Sequence, residues 1–234
     1  DTGNSSSKIP AYDSGFPVDF GLDKITGSTG PWYAATRLMD QKELQLTSAA
    51  GETVETNYVF ESHLGYAKGS WANTNYQAFM WKRSAGFDVQ CYTGNGASNR
   101  DIYHSMNNTP RMIWVKKRSS GNEDWAVYHF GLNGGSSPQN YNIILNSNAA
   151  EYSSQNEWGS SNTSTFTISS GDLTNKNNNE YVAMLFGDVE GISKCGYFDG
   201  QNSTITITTG FQPRFLIVKR ANGSGEWFTV DTFR

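Results

Sequence analysis

The sequence has few charged residues, little cysteine and no long apolar run. Charged residues make up 17%, and 22 acidic against 18 basic residues give a net charge of −4, so a general attraction to nucleic acid or anionic lipid is not supported. No apolar run approaches the ~20 residues of a membrane-spanning helix, and we expect no membrane insertion. Cys91 and Cys195 are too few for a disulfide framework, and we expect two buried free thiols.

The motifs of common enzyme classes are also missing. There is no G-x-S-x-G nucleophile elbow, no phosphate loop ending in Lys-Ser/Thr and no D-x-D-x-D-G calcium loop. The histidines His63, His104 and His129 form no metal-ligand spacing with the cysteines. The acidic pair in DVE at 188–190 has RSA at 83–85 as its counterpart, which does not support a glycosidase carboxylate pair. We therefore predict a protein that is not an enzyme, with no catalytic residues, metal or cofactor.

The composition indicates an all-β protein. Hydrophobic residues make up 36% and aromatic residues 14%, while Gly, Ser, Thr and Asn fill most of the rest. Strand-like runs include RMIWVKK, WAVYHF, TFTIS, YVAMLFG, TITITTGF (204–211) and FLIVKR. Gly-containing segments join two of these pairs as hairpins, SSGNED and NGSGE. The basic residues in WVKKR, IVKR and FMWKR are interpreted as solvated strand ends that protect against aggregation.

The sequence repeats itself. The stretches after Pro17, Pro110 and Pro213 each read as an apolar strand, a Gly/Ser-rich turn and a second strand that starts at tryptophan. The first two align without a gap, because proline recurs after 93 residues and Trp125 follows Trp32 by 93 residues. The third stretch needs one deletion. Residues repeated in this order indicate duplication of a whole domain.

Other blocks repeat in the same order. NYQAFMWKRSAGFDVQCYTGNG at 75–96 matches EYVAMLFGDVEGISKCGYFDGQ at 180–201 with a shift of 105 residues. We predict a first β-sandwich repeat at 1–85 whose first strand is missing, a complete repeat at 86–190 and the start of a third at 191–234. On this interpretation the sequence is a window on a longer array. Each repeat is predicted to be an antiparallel sandwich of the jelly-roll or concanavalin A type.

Tryptophan is the residue type that could bind a ligand. Trp32, Trp125 and Trp227 recur at the start of each second strand, which favours a packing role over stacking on a sugar. Trp71 and Trp158 are not repeated and lie in polar, loop-like surroundings. We predict these two as the ligand-contacting aromatics.

The repeated motifs resemble a known family. EYVAMLFGDVEGISKCGYFDGQNS, TGFQPRFLIVKR…GEWFTVDTFR and NTPRMIWVKKRSS…DWAVYH are similar to a repeat domain of unknown function from virion proteins of marine tailed phages, a family with a predicted concanavalin A-like or LamG-like fold. The resemblance covers nearly the whole chain, although VDFGLDK departs from the usual apolar-then-basic strand. It implies a particle-associated protein, often a tail fibre, without catalytic residues. Sugar recognition follows only by analogy with lectin-like folds.

Three functions stay open at this point. The leading prediction is a virion component, a tail fibre or other appendage, that adsorbs to a host-surface glycan through many weak contacts. Its location would be the extracellular particle, and its partners would be other virion proteins, that glycan and further copies in a homo-oligomer. The alternative is a purely architectural capsid decoration or fibre shaft without a ligand. A polysaccharide-degrading enzyme comes third.

Overall fold

The computed structural model describes residues 13–27, 29–61, 63–68, 76–119 and 121–232, and it confirms an all-β protein. All strand pairs of the described residues are antiparallel. The strands are β1 (Phe20–Ile25), β2 (Tyr33–Thr36), β3 (Lys42–Gln45), β4 (Thr53–Val54), β5 (Tyr58–Val59), β6 (Ala67–Lys68), β7 (Tyr76–Trp81), β8 (Phe87–Thr93), β9 (Arg100–Tyr103), β10 (Met112–Lys117), β11 (Ala126–His129), β12 (Tyr141–Ile144), β13 (Tyr152–Ser153), β14 (Thr165–Ile168), β15 (Glu180–Phe186), β16 (Phe215–Lys219) and β17 (Trp227–Asp231). The helices are α1 (Asp172–Asn175) and three 3₁₀ turns, Arg37–Met39, Leu132–Gly135 and Pro138–Asn140.

Two large sheets share one strand order. The five-stranded sheet runs β4-β3-β2-β1-β7, and the six-stranded sheet runs β13-β12-β11-β10-β15-β8. Two-stranded sheets are formed by β5 with β6, by β9 with β14 and by β16 with β17. Each of the three proline-to-tryptophan stretches forms an antiparallel hairpin, and we call these hairpin 1 (β1–β2), hairpin 2 (β10–β11) and hairpin 3 (β16–β17).

The two large sheets pack against each other as a β-sandwich. Their facing side chains form one central core, to which the five-stranded sheet contributes Phe20 and Leu22 and the six-stranded sheet contributes Trp114 and Met184. Trp227 of hairpin 3 packs against the edge of the same core. The main core therefore lies between segments that the sequence assigned to different repeats. The boundaries at 85/86 and 190/191 stay predictions.

A second core lies on the outer face of the six-stranded sheet. The short β9–β14 sheet covers this face and contributes Phe166 and Ile168, which pack against Ile113 and Leu185. The outer face of the five-stranded sheet has a smaller aromatic cluster around Tyr58.

The structure corrects the ungapped alignment of the first two hairpins. Leu22 pairs with Phe79, and Trp114 pairs with Met184, which lies 105 residues after Phe79. Leu22 thus corresponds to Trp114, 92 residues later, whereas the ungapped alignment set it against Val115. The second strands keep the shift of 93, so hairpin 2 has one more residue in its turn. This correction matters because a slip of one residue in a strand exchanges its two faces.

The same tryptophan contact joins successive hairpins to earlier strands. The indole N–H of Trp125 donates to the backbone carbonyl of Gln45, at 2.9 Å, and that of Trp227 donates to the carbonyl of Ile144, at 3.0 Å. Gln45 pairs with Tyr33, the residue after Trp32, and Ile144 pairs with Ala126, the residue after Trp125. The two acceptors therefore hold corresponding positions in β3 and β12.

Two further contacts recur with the same correspondence. The Nζ of Lys116 donates to the carbonyl of Ala49, at 2.9 Å, and the Nζ of Lys219 donates to that of Ala149, at 2.9 Å, and of Asn148, at 3.4 Å. In the other contact, the backbone N–H of Glu52 donates to the carbonyl of Arg118, at 2.9 Å, and the N–H of Glu151 donates to the carbonyl of Ala221, at 2.8 Å.

Two expectations about local structure were wrong. Lys116 is fully buried rather than solvated, because its ammonium group finds backbone carbonyls inside the protein. The run at 204–211 forms no strand. Its counterpart β9 pairs with β14, and the described chain places no such partner beside 204–211. No helix of the described residues is long and apolar enough to cross a membrane.

Candidate functional site

A cleft of about 520 Å³ opens where the three hairpins meet. Hairpin 1 contributes Leu22 and Trp32, hairpin 2 contributes Trp114, and hairpin 3 contributes Ile217 and Trp227. Further lining residues come from β7, from the segments after β3 and β12, and from hairpin 3, namely Phe79, Leu46, Thr47, Leu145, Asn146, Ser147, Asn148, Phe215, Glu226 and Thr229. Aromatic walls with a few polar groups are typical of small-molecule sites of this size.

A second hollow of about 230 Å³ continues the cleft along hairpin 3. The two hollows share Trp32, Phe79 and Thr229. At the far end of the second hollow, Gln77 Nε2 donates to Asp231 Oδ2 at 2.9 Å. Because the two hollows share Trp32, Phe79 and Thr229, they adjoin, and we call them together the groove.

Trp32 differs from its two counterparts. Trp125 is fully buried, and both Trp125 and Trp227 donate their indole N–H to a backbone carbonyl. Trp32 is half-buried, its ring stacks on Phe79 at a centroid distance of 5.7 Å, and no described residue accepts its indole N–H. Trp32 thus presents both a ring and a hydrogen-bond donor at the groove.

Trp114 provides a second unused donor. Its side chain lines the cleft and is 1% exposed, and its indole nitrogen has no hydrogen-bond partner in the described structure. Leaving a buried donor unpaired costs about 1–3 kcal/mol. This nitrogen is itself buried, so an acceptor in the cleft would reach it only if neighbouring side chains moved.

Polar groups at the opposite end of the cleft are already oriented. Asn148 Nδ2 donates to Glu226 Oε1 at 3.3 Å, and Asn146 Nδ2 donates to Asp124 Oδ1 at 2.7 Å. No lysine or arginine lines either hollow in the described part of the chain. Glu226 lines the first hollow and Asp231 the second, so the lining residues carry negative charge; Lys24 lies beside them, with its Nζ 5.8 Å from the centroid of the Trp32 ring.

The structure describes one of the two predicted ligand-contacting tryptophans. Trp71 lies outside the described residues. Trp158 does not lie on a loop surface as expected, because it is 4% exposed and belongs to the outer core. Its indole N–H donates to Asn142 Oδ1 at 3.3 Å, and its ring packs against Tyr128. The polar neighbours of Trp158 in the sequence concealed this burial.

The other reactive side chains are separated from the cleft. Burial lowers the pKa of His129 to about 4, and burial raises the pKa of Cys195 to about 12. Cys91, in β8, and Cys195 are both free and half-buried, and burial also raises the pKa of the Cys91 thiol. Among the described residues, no three His, Cys, Asp or Glu side chains are grouped to hold a metal ion.

Sequence reasoning missed the cleft because its residues are far apart in the chain. The repeated tryptophans were the available signal, but Trp32, Trp125 and Trp227 carry the same local pattern. Only the structure separates Trp32, which lies in the groove, from Trp125, which is enclosed in the core.

Residues 66–234 match a protein-family model, described as Domain of unknown function (DUF7483). A search of curated proteins and a search of solved structures return no match.

Proposed function

The chain belongs to the DUF7483 family, and we propose that it is a non-enzymatic virion component that binds a host-surface glycan in the groove between its hairpins. The observation that carries this proposal is Trp32, whose half-buried ring lines the aromatic groove and whose indole N–H has no acceptor among the described residues. The proposed setting is a tail fibre or other appendage of the extracellular particle.

A sugar fits the chemistry of the groove. The apolar face of a pyranose packs on an aromatic ring, and Trp32 offers a half-buried ring beside Phe79. Sugar hydroxyl and ring oxygens accept hydrogen bonds, so they could pair with the free indole N–H of Trp32. Hydroxyl protons have acceptors in both hollows of the groove, in Glu226 and Asp231.

The charges favour a neutral sugar. A uronic or sialic acid would bring its carboxylate near Glu226 or Asp231, which line the groove, whereas the lysines beside it, Lys24 at the Trp32 ring and Lys219 at the carbonyl of Asn148, are not among its lining residues. Neutral hexoses and N-acetylated hexosamines avoid this cost.

The recurring contacts support the finer architecture that we propose, tandem sandwich repeats of the concanavalin A type. Trp125 binds Gln45 as Trp227 binds Ile144, and the two large sheets share a strand order. Successive copies on this interpretation pack in one constant geometry, and repeated sites along such an array would raise avidity.

The same contacts favour a second candidate, a purely architectural shaft or capsid decoration without a ligand. Trp125 and Lys116 are fully buried where successive hairpins and strands meet, so packing between repeats accounts for these two repeated residues. Partners would then be other virion proteins and further copies of the chain.

A glycan array with purified protein separates the candidates. We expect binding to neutral glycans that Trp32→Ala abolishes and that Tyr103→Ala retains, because Tyr103 is 78% exposed on β9 and does not line the groove. If the protein binds neither the array nor whole cells but associates tightly with particles, the architectural role is favoured. Release of reducing sugar from a bound polysaccharide would instead indicate an enzyme.

A further inference from the structure

The outer face of hairpin 3 is apolar and exposed. Leu216 and Phe228 are 46% and 62% exposed. Their counterparts in hairpin 2 are Ile113 and Ala126, given that Phe215 faces Asp231 as Met112 faces His129. Ile113 is 1% exposed and Ala126 is fully buried. Equivalent positions thus have opposite environments in the two hairpins.

The structure shows what covers the equivalent face of hairpin 2. Phe166 and Ile168 of β14, together with Trp158, pack on Ile113 and Ala126 in the outer core. The described chain places no β14-like strand over hairpin 3. The run at 204–207, in the position of β9, is accordingly mostly exposed and forms no strand.

The edge of hairpin 3 is also open. The strand β10 pairs with β11 on one side and with β15 on the other, whereas β16 pairs only with β17 among the described residues. The backbone N–H of Thr232 donates to the carbonyl of Arg214. In this antiparallel register, the backbone N–H and C=O groups of Leu216 and Val218 point towards β17. The backbone N–H and C=O groups of Phe215 and Ile217 point towards the open edge. The equivalent groups in hairpin 2, those of Met112 and Trp114, point towards β15.

We propose that hairpin 3 is a docking surface for an extended polypeptide segment of the β14–β15 type. The incoming segment adds an antiparallel strand to β16 and lays a second, β14-like strand over Leu216 and Phe228. Its pattern is that of residues 163–187 of this chain, with apolar side chains on both faces of the pairing strand. The proposal rests on the correspondence between the hairpins and does not depend on glycan binding.

The test uses the wild-type protein and a fluorescein-labelled peptide of residues 163–187, followed by fluorescence anisotropy. Saturable binding is expected. In the native pairing the N–H groups of Val182 and Met184 face β10, whereas those of Tyr181 and Ala183 face β8. N-methylation at Val182 and Met184 should weaken binding at least tenfold, and N-methylation at Tyr181 and Ala183 should weaken it much less.

Three results would overturn the docking proposal. They are absence of peptide binding, equal weakening by both N-methylation patterns, and self-association of the protein through this face that excludes the peptide in sedimentation velocity. A protein that binds the peptide but no glycan would refute only the proposed function. A protein that binds glycan but not the peptide would refute only the docking surface.

Discussion

The indole of Trp125 reaches across from hairpin 2 to the carbonyl of Gln45 in β3, at 2.9 Å. Hairpin 3 repeats this contact with Trp227 and Ile144, at 3.0 Å. A fully buried side chain that also satisfies a backbone carbonyl fixes both the distance and the register between two sheets. The groove proposed to bind glycan lies beside these contacts, so its shape depends on them.

Replacing Trp125 by phenylalanine should destabilise the protein by about 2–4 kcal/mol, through lost packing and an unpaired Gln45 carbonyl. The free energy of unfolding in urea measures this loss. Trp227→Phe is the matched control and should cost less, because Trp227 is half-buried. Equal losses in the two variants would mean that burial between the sheets is not what makes this contact important.

Removing the ammonium group of Lys116 should also destabilise the fold. Lys116→Met leaves the carbonyls of Ala49 and Glu123 without their donor, at a cost of about 1–3 kcal/mol. Lys219→Met is the control, with a smaller expected loss because its carbonyl contacts are exposed. Chemical denaturation compares the two. A fully stable Lys116→Met variant would refute a structural role for this lysine.

The pH dependence of Lys116 has a definite sign. Burial lowers its pKa from 10.5 to about 8, so between pH 8 and 10.5 the unfolded chain binds more protons than the folded chain. The stability of the wild-type protein relative to Lys116→Met should therefore rise with pH across this window. Urea titrations of both proteins at several pH values test this. A difference that falls with increasing pH would contradict the assignment.

His129 should stay neutral in the folded protein well below its usual pKa. Burial, and then the charge of Arg111, lower the pKa of His129 to about 4 from 6.5, and its Nδ1 accepts a hydrogen bond from the N–H of Gly131 at 3.1 Å. The unfolded chain binds more protons between pH 6.5 and 4, so stability falls as the pH falls through that window. The ¹H–¹⁵N spectrum of the imidazole during a pH titration checks this. Protonation near pH 6.5 in the folded state would show that the side chain is not shielded.

The strands were predictable where alternation or aromatic content was strong. The runs of β10, β14, β15 and β16 were confirmed, because Val, Ile and aromatic residues fit a pleated sheet buried on one or both faces. The run at 204–211 has the same composition but lacks a pairing partner, and composition cannot report a missing partner.

Side-chain environments were harder to predict. Lys116 looks like a solvated strand end in WVKKR, yet it is fully buried, and one of the carbonyls that accept from it belongs to Ala49, 67 residues earlier in the chain. Trp158 looks like a loop residue, but β14 brings it into the outer core. The groove depends on residues from Leu22 to Thr229, so no local pattern could have revealed it. That Trp71 contacts a ligand stays a prediction.

The most direct measurement follows the tryptophan indole N–H signals in ¹H–¹⁵N spectra while a neutral oligosaccharide chosen from the array is added. The account predicts that the signal of Trp32 shifts with saturation, while that of Trp125, already bonded to Gln45, does not move. Shifts confined to Trp71 or Trp158, or no shift at any indole, would contradict a glycan site in this groove.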